Sequence, residues 1–204
     1  MQKRAIRVIT IGAVAALMAS AAIASSASAA PVWRAAGVPL EGSETVTAET
    51  TASTLTVPGL ATTCSATVKM TVSNSGSKGV ATVESMALSG CGTNGVCTVE
   101  SATALNLPWS GSTSVVSENN YLKIEGFTNK IVYGNPLCAA PTITYQGSIG
   151  GLFDNSKSRL VFNEASATAT GASLKSIGST KTGYDAEYQV KMTGSHAGQV
   201  LTLS

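Results

Sequence analysis

The chain has 204 residues and a formal net charge of +2, and only 12% of its residues are charged and 5% aromatic. The basic excess belongs to the first residues, because Lys3, Arg4 and Arg7 have no acidic residue beside them. The rest of the chain lacks the basic field that would attract nucleic acid or an anionic membrane. We therefore predict no nucleic-acid partner.

Residues 1–29 have the three-part layout of a secretory signal peptide. The basic opening MQKRAIR is followed by an apolar stretch and then by small residues. The triplet Ala27-Ser28-Ala29 matches the A-x-A cleavage pattern, and cleavage there makes Ala30 the first mature residue. The prediction is a secreted protein, extracellular or associated with the cell envelope, with no transmembrane segment after cleavage.

The mature chain is predicted to be a loose leader at 30–43 followed by a single all-β domain at 44–204. Its composition is rich in Thr, Val, Ser and Gly, which favour strands and turns. The stretches LATTCSATVKMTV (60–72) and YDAEYQVKMT (184–193) have a period of two, with a mainly apolar and a mainly polar face, as a strand with one buried face does. Shorter strand patterns separated by turn residues lie between them. We predict an antiparallel β-sandwich or barrel of the Ig-like or Greek-key type.

The alternation breaks at one place. In VATVESMAL, strict pairing would put Glu84 on the same face as Val80, Met86 and Leu88. A lone buried carboxylate is costly. We therefore predict a β-bulge or a change of register at 83–85.

The mature part holds four cysteines, Cys64, Cys91, Cys97 and Cys138, and an even number in an exported protein indicates two disulfides. Their spacing does not fit a zinc site or a Cys-x-x-Cys redox motif, so no metal is predicted. A hairpin turn at Thr93-Asn94-Gly95 would place Cys91 opposite Cys97 and leave Cys64 for Cys138. The alternative is Cys64–Cys91 with Cys97–Cys138.

Catalytic chemistry is weakly supported by the sequence. His196 is the single histidine, and a Ser-His-Asp triad would need it together with Asp154 or Asp185. The sequence has no Gly-x-Ser-x-Gly elbow, and His196 lies in the glycine-flanked stretch TGSHAGQ, which is typical of an exposed turn. The prediction is a protein that is not an enzyme and has no catalytic residues and no cofactor.

Several motifs resemble those of a known group. A Cys in an early strand, Gly-Cys-x5-Cys, Leu-Pro-Trp, a fourth Cys and Gly-Ser-Ile-Gly occur here at Cys64, 90–97, 107–109, Cys138 and 147–150. This pattern resembles the small, uncharacterised, secreted β-rich proteins of actinobacteria, and the resemblance covers about residues 55–155. It implies export, a β fold and disulfides, but no activity or ligand.

The favoured function is a secreted, non-enzymatic structural or interaction domain whose partner is an unknown extracellular protein, glycan or small molecule. The alternative is a binding or carrier protein for a small apolar ligand or a glycan. Such a carrier would need a large apolar cavity. The residues expected to line it are Trp109, Tyr121, Tyr145 and Phe153.

Overall fold

The computed structural model describes residues 29–135, 138, 140–176 and 182–204. The predicted signal peptide, apart from Ala29, lies outside the described residues and stays a prediction. The described elements are thirteen strands and one short helix, which confirms the all-β class.

Eight of the described strands form a closed antiparallel barrel. They are β3 (Glu44–Val57), β4 (Leu60–Ser75), β5 (Lys78–Thr93), β7 (Trp109–Val116), β8 (Asn119–Tyr133), β9 (Thr142–Asp154), β10 (Arg159–Phe162) and β12 (Gly183–Met192). Each pairs with the next in this series, and β12 returns to pair with β3. The architecture is thus a barrel rather than an Ig-like sandwich, and its strand order is up-and-down rather than Greek-key.

The period-two alternation in β4 and β12 predicted their faces correctly. All the apolar positions of the β12 pattern, from Tyr184 to Met192, point into the core, while the polar positions between them are exposed. The irregularity predicted near Glu84 is also present. Lys69 pairs with Ser85 but Met70 pairs with Val83, so Glu84 is the extra residue of a bulge and is exposed.

Two further strands, outside the series of eight, each pair with part of a barrel strand. The strand β6 (Val99–Ala104) pairs with the last part of β8, whose first part pairs with β7. Similarly, β11 (Ser173–Ser176) pairs with the first part of β9, whose last part pairs with β10. Between β6 and β7 the chain passes a cis Leu107–Pro108 bond, and the indole N–H of Trp109 donates to the Leu105 carbonyl at 2.8 Å.

One end of the barrel is closed by a small sheet of β1 (Trp33–Ala35), β2 (Val38–Pro39) and β13 (Leu201–Leu203). Trp33 is 1% exposed, and its indole N–H donates to the Val80 carbonyl at 3.0 Å. Its ring packs edge-on against Phe153, with centroids 5.3 Å apart. The segment 30–43, expected to be a loose leader, therefore contains two strands and a buried tryptophan. We call this end the cap.

The helix α1 (Glu164–Thr170) is the one helix among the described residues. The Asn163 side chain accepts a hydrogen bond from the Ser166 amide at 2.8 Å, and Gly171 ends the helix with φ of 63°. These two caps lie just outside a run of Ala, Ser and Thr that has no clear period of its own. The helix lies on the outside of the barrel against β9.

Candidate functional site

The cysteines pair differently from the first prediction. Cys64 is bonded to Cys91, with Cα atoms 4.1 Å apart, and Cys97 is bonded to Cys138. The pairing of Cys91 with Cys97 was wrong, and the alternative is correct. The reason is that β5 does not turn back before Cys97; it stays paired with β4 as far as Thr93, which places Cys91 beside Cys64.

Both disulfides lie at the end of the barrel opposite the cap. The strand that follows Cys97 pairs with β8 rather than with β5, and Cys138 lies in the connection from β8 to β9. The Gly-Cys-x5-Cys motif at 90–97 is therefore a structural feature, because its two cysteines join neighbouring parts of the barrel. It does not form a chemical centre.

The stretch Gly147-Ser148-Ile149-Gly150 is a packing surface. A Cβ atom at Gly147 would come within 2.2 Å of the Ser173 carbonyl oxygen, and one at Gly150 within 1.8 Å of Thr170 Oγ1. The Ser148 hydroxyl accepts a hydrogen bond from the Ser173 amide at 3.1 Å. Small residues are needed here because α1 and β11 lie directly against β9.

The barrel interior is filled. Its void has a volume of about 30 Å³ and is lined by apolar side chains, among them Trp109. Of the residues expected to line a ligand cavity, Tyr121, Tyr145 and Phe153 are buried but do not line this void. A volume near that of one water molecule cannot hold an organic ligand. Among the described residues, this void is therefore not a preformed ligand cavity.

Several tyrosine hydroxyls are buried in the barrel. The Tyr184 and Tyr188 hydroxyls are 2.7 Å apart, and the Ser53 hydroxyl donates to that of Tyr184 at 3.1 Å. Tyr133 and Thr62 share a hydrogen bond of 2.7 Å. Burial raises the pKa of Tyr184, so its hydroxyl stays protonated at neutral pH. These bonds hold the aromatic side chains of the core in place.

The side chain of His196 does not stand alone. Its Nδ1 lies 2.8 Å from Glu44 Oε2, and the Ser195 hydroxyl donates to the same oxygen at 2.6 Å. The His196 amide also donates to both Glu44 oxygens, at 3.2 and 3.3 Å. Burial alone would raise the pKa of Glu44, but the hydrogen bonds from Ser195 and His196 outweigh it and lower the pKa to about 2.

The geometry of this cluster differs from that of a catalytic triad. In a triad, the acid contacts one ring nitrogen of the histidine and the serine contacts the other. Here Ser195 Oγ, at 3.1 Å, and Glu44 both contact Nδ1 of His196. A ring nitrogen that donates to the carboxylate cannot also accept the serine proton. The arrangement fits a carboxylate that organises the turn at 194–196.

Sequence reasoning missed Glu44, although a signal was present. Glu44 falls on the same face of β3 as Val46 and Ala48, and its side chain is 1% exposed. An inward-facing carboxylate requires buried donors. Its partners are more than 140 residues away in the chain, so the sequence could not identify them.

A surface cleft lies beside α1. It has a volume of about 260 Å³ and lies between α1, β11 and the start of β12. Its apolar lining includes Ile149, Phe162 and Leu174, and its polar lining includes Glu164 and Lys175. We call it the α1 cleft. Its size approaches that of small-molecule sites, which the core void does not.

No group of three or more His, Cys, Asp and Glu side chains in the described part of the chain could hold a metal ion. No helix among those residues is long and apolar enough to cross a membrane.

The chain was compared with known proteins. A family model described as alkane oxidation protein activator PraA/PraB-like matches residues 1–193, which include the whole barrel and the α1 cleft. No curated protein and no solved structure matches the chain. The resemblance to small secreted actinobacterial proteins stays a prediction. Because the family model covers nearly the full length, the chain belongs to the PraA/PraB-like family.

Proposed function

We propose that this protein is a secreted, non-enzymatic interaction domain that supports alkane oxidation by contact with a partner. It acts in the extracellular space or the cell envelope, and its partner is another protein, a glycan or a small molecule. The observation that carries the proposal is the filled barrel, whose void of about 30 Å³ leaves no room for a substrate. A barrel with a filled core contacts a partner through its outer surface and not through its interior.

Three further observations support the proposal. The family description names an activator of alkane oxidation rather than an oxidase. Two disulfides suit a protein that works in an oxidising compartment. The Ser195–His196 pair is arranged around a buried carboxylate in a way that hinders proton transfer from the serine.

The outer surface of β3 and β4 is the proposed contact surface. Neighbouring positions carry threonine side chains, as in the pairs Thr45–Thr71 and Thr54–Thr63. The hydroxyls of the second pair are 2.9 Å apart. Hydroxyl and methyl groups in a regular array can contact a flat or repetitive partner through hydrogen bonds with little desolvation of charge.

The proposal is tested in cells from which the gene has been deleted, supplied with a liquid n-alkane as carbon source. Purified mature protein added outside the cells is expected to restore the rate of alkane consumption. The same protein mixed with the alkane alone is expected to consume none. Failure of added protein to restore the rate, when expression from the gene does restore it, would contradict action outside the cell.

The absence of catalysis is tested with the double variant Ser195→Ala/His196→Ala. If the domain works by contact, this variant restores alkane consumption as well as the unchanged protein does. A variant that is folded by circular dichroism but fails to restore consumption would show that the two side chains take part in a reaction. Thr67→Arg, on the outer surface of β4, is expected to weaken the restoration instead.

A further inference from the structure

Residues 31–40 dock onto one end of the barrel as a separate hairpin, which we call the cap hairpin. The Pro31 carbonyl accepts a hydrogen bond from the Gly79 amide at 2.8 Å. The Trp33 amide donates to Asn74 Oδ1 at 2.8 Å, and Asn74 Nδ2 donates to the Trp33 carbonyl at 3.0 Å. These partners are at least 41 residues away along the chain. A second copy of the barrel therefore offers the cap hairpin the same contacts.

The seat of Trp33 on the barrel fits this side chain closely. Trp33 is 1% exposed, and a Cβ atom at Gly79 would come within 2.9 Å of its ring. The Thr113 hydroxyl, beside the same glycine, donates to the Pro31 carbonyl at 2.6 Å. This end of the barrel is therefore incomplete without the cap hairpin, which makes it a site for one defined segment of the chain.

The link from the cap hairpin to β3 lies on the surface. Residues 41–43 are all exposed, and none of the hydrogen bonds that dock the cap hairpin involves them. Fully extended, the chain from Leu40 to Glu44 spans about 14 Å. A cap hairpin that docks on another barrel must therefore bridge two barrels whose cap ends face each other.

Exposed apolar side chains are concentrated at the cap. Among the described residues, the large apolar side chains that are exposed are Val38, Val96 and Val200, and the first and last of these lie at the cap. Val38 is 65% exposed and Val200 is 56% exposed, and the Val200 carbonyl accepts a hydrogen bond from the Ala36 amide at 3.0 Å. Two barrels with facing cap ends bring these valines to their contact, where burial of apolar surface favours the pair.

We propose that two copies of this chain exchange their cap hairpins, so that Trp33 of each copy docks on the barrel of the other. The exchanged dimer retains the hydrogen bonds of the cap hairpin, because each barrel still receives one. Only the link at 41–43 changes its course, and a contact between the cap ends is gained. The arrangement is closed and two-fold symmetric, so it stops at two copies. It goes beyond the proposed function and does not depend on alkane oxidation.

Dimer formation is tested on the purified mature protein by size-exclusion chromatography with light scattering. The share of dimer is expected to rise between about 10 µM and about 1 mM protein, as mass action requires. A protein that stays monomeric over this range would overturn the proposal.

Exchange within the dimer is tested by NMR on mixed dimers formed from equal amounts of carbon-13-labelled and unlabelled protein. The Trp33 and Phe153 rings have centroids 5.3 Å apart, so a nuclear Overhauser effect between them is expected to cross from one copy to the other. Mixed dimers without this signal between copies would be side-by-side pairs, and hairpin exchange would be excluded.

Two disabled variants test the exchange by complementation. Trp33→Ala removes the side chain that docks but leaves its seat, whereas Gly79→Leu blocks the seat but leaves the side chain. Mixing the two variants should give a heterodimer in which Trp33 of one variant docks on the barrel of the other, whereas each variant alone should stay monomeric. Circular dichroism confirms that both variants fold. If the folded variants form no more dimer together than apart, the cap hairpins do not exchange.

The link offers a test that leaves the barrel and the cap hairpin unchanged. Gly42→Pro disfavours the bend at 41–42, because proline fixes its own φ and holds the residue before it in an extended conformation. It should raise the association constant of the dimer by about tenfold or more. Gly42→Ala, where the added Cβ atom meets nothing within 4 Å, should leave this constant unchanged. Equal association constants for the two variants would contradict the proposed course of the link.

The two proposals can fail separately. If the cap hairpins exchange but added protein restores no alkane consumption, the dimer stands and the proposed function fails. If added protein restores alkane consumption but stays monomeric at every concentration, the opposite holds.

Discussion

Glu44 is the most buried carboxylate among the described residues, and it organises the turn that leads into the cap. Gly194 lies so close that a Cβ atom there would come within 2.5 Å of Glu44 Oε1. The carboxylate, its donors and this glycine form one packed unit. The charge of Glu44 is therefore important for the stability of this turn.

The stability of the protein should depend on the ionisation of Glu44. Its pKa falls from 4.5 to about 2 on folding, so the unfolded chain binds more protons between those values. The contribution of Glu44 is therefore complete above pH 4.5 and is lost as the pH falls through 2. Urea unfolding of Glu44→Gln should show a loss of about 1–3 kcal/mol at pH 7 that shrinks towards pH 2.

Glu41→Gln, at an exposed position before β3, serves as the control for this experiment. It should change the free energy of unfolding at pH 7 by less than about 0.5 kcal/mol. Parallel stability curves for Glu44→Gln and the unchanged protein between pH 7 and pH 2 would contradict the assigned role of Glu44.

Asn129 is a second buried polar residue, and it is incompletely paired. It is 0% exposed, its Oδ1 has no hydrogen-bond partner among the described residues, and its Nδ2 contacts Met86 Sδ at 3.8 Å. A buried polar atom without a partner lowers stability. Asn129→Leu should therefore raise the free energy of unfolding by about 1 kcal/mol, as measured by urea denaturation.

Asn155 offers a matched comparison. Its Nδ2 donates to the Leu203 carbonyl at 2.8 Å and its Oδ1 accepts from the Leu203 amide at 2.7 Å. Asn155→Leu should lower the free energy of unfolding by about 1–2 kcal/mol. The explanation of Asn129 fails if both substitutions lower stability equally.

Among the elements, β9 illustrates how small residues position a helix. Gly150→Ala should displace α1, because the added methyl group would overlap Thr170. The expected cost is about 1–3 kcal/mol of unfolding free energy. Gly92→Ala, where a Cβ atom meets nothing within 4 Å, should change stability by less than about 0.5 kcal/mol. Equal costs at the two positions would show that α1 does not depend on this contact.

The elements differ in how well the sequence predicted them, and the reason is the range of the contacts that form them. The faces of β4 and β12 and the bulge at Glu84 follow from period-two alternation, which is local. The strand β1 depends on Trp33 reaching Val80 and Phe153, which are distant in the chain. The sequence therefore could not show that this segment is ordered.

The sequence left two disulfide pairings open and gave no sign of the α1 cleft, for related reasons. The choice between the two disulfide pairings depends on how far β5 continues along β4. The turn residues alone do not determine where a strand ends. The cleft arises where two short strands share one edge of β9, which is a property of the closed barrel. Neither Phe162 nor Leu174 lies in a sequence motif that indicates a binding site.

For the whole molecule, the cap should contribute strongly to stability. Trp33 is buried against the end of the barrel, where its ring packs on Phe153, so Trp33→Ala should lower the free energy of unfolding by about 3–5 kcal/mol. Val38→Ala, in the same small sheet but 65% exposed, should have little effect. Guanidinium unfolding followed by circular dichroism measures both variants. A small effect of Trp33→Ala would mean that the cap is dispensable.

Closure of the barrel has a consequence for how fast the protein folds. The ladder between β3 and β12 pairs Val46 with Met192, so the first and last barrel strands must meet before the wall is complete. Bringing together residues so distant in the chain costs loop entropy before any contact stabilises the pair. Folds dominated by such pairings reach the native state in milliseconds to seconds rather than microseconds. Until then β3 remains an open edge, so dilute conditions should favour correct folding over association.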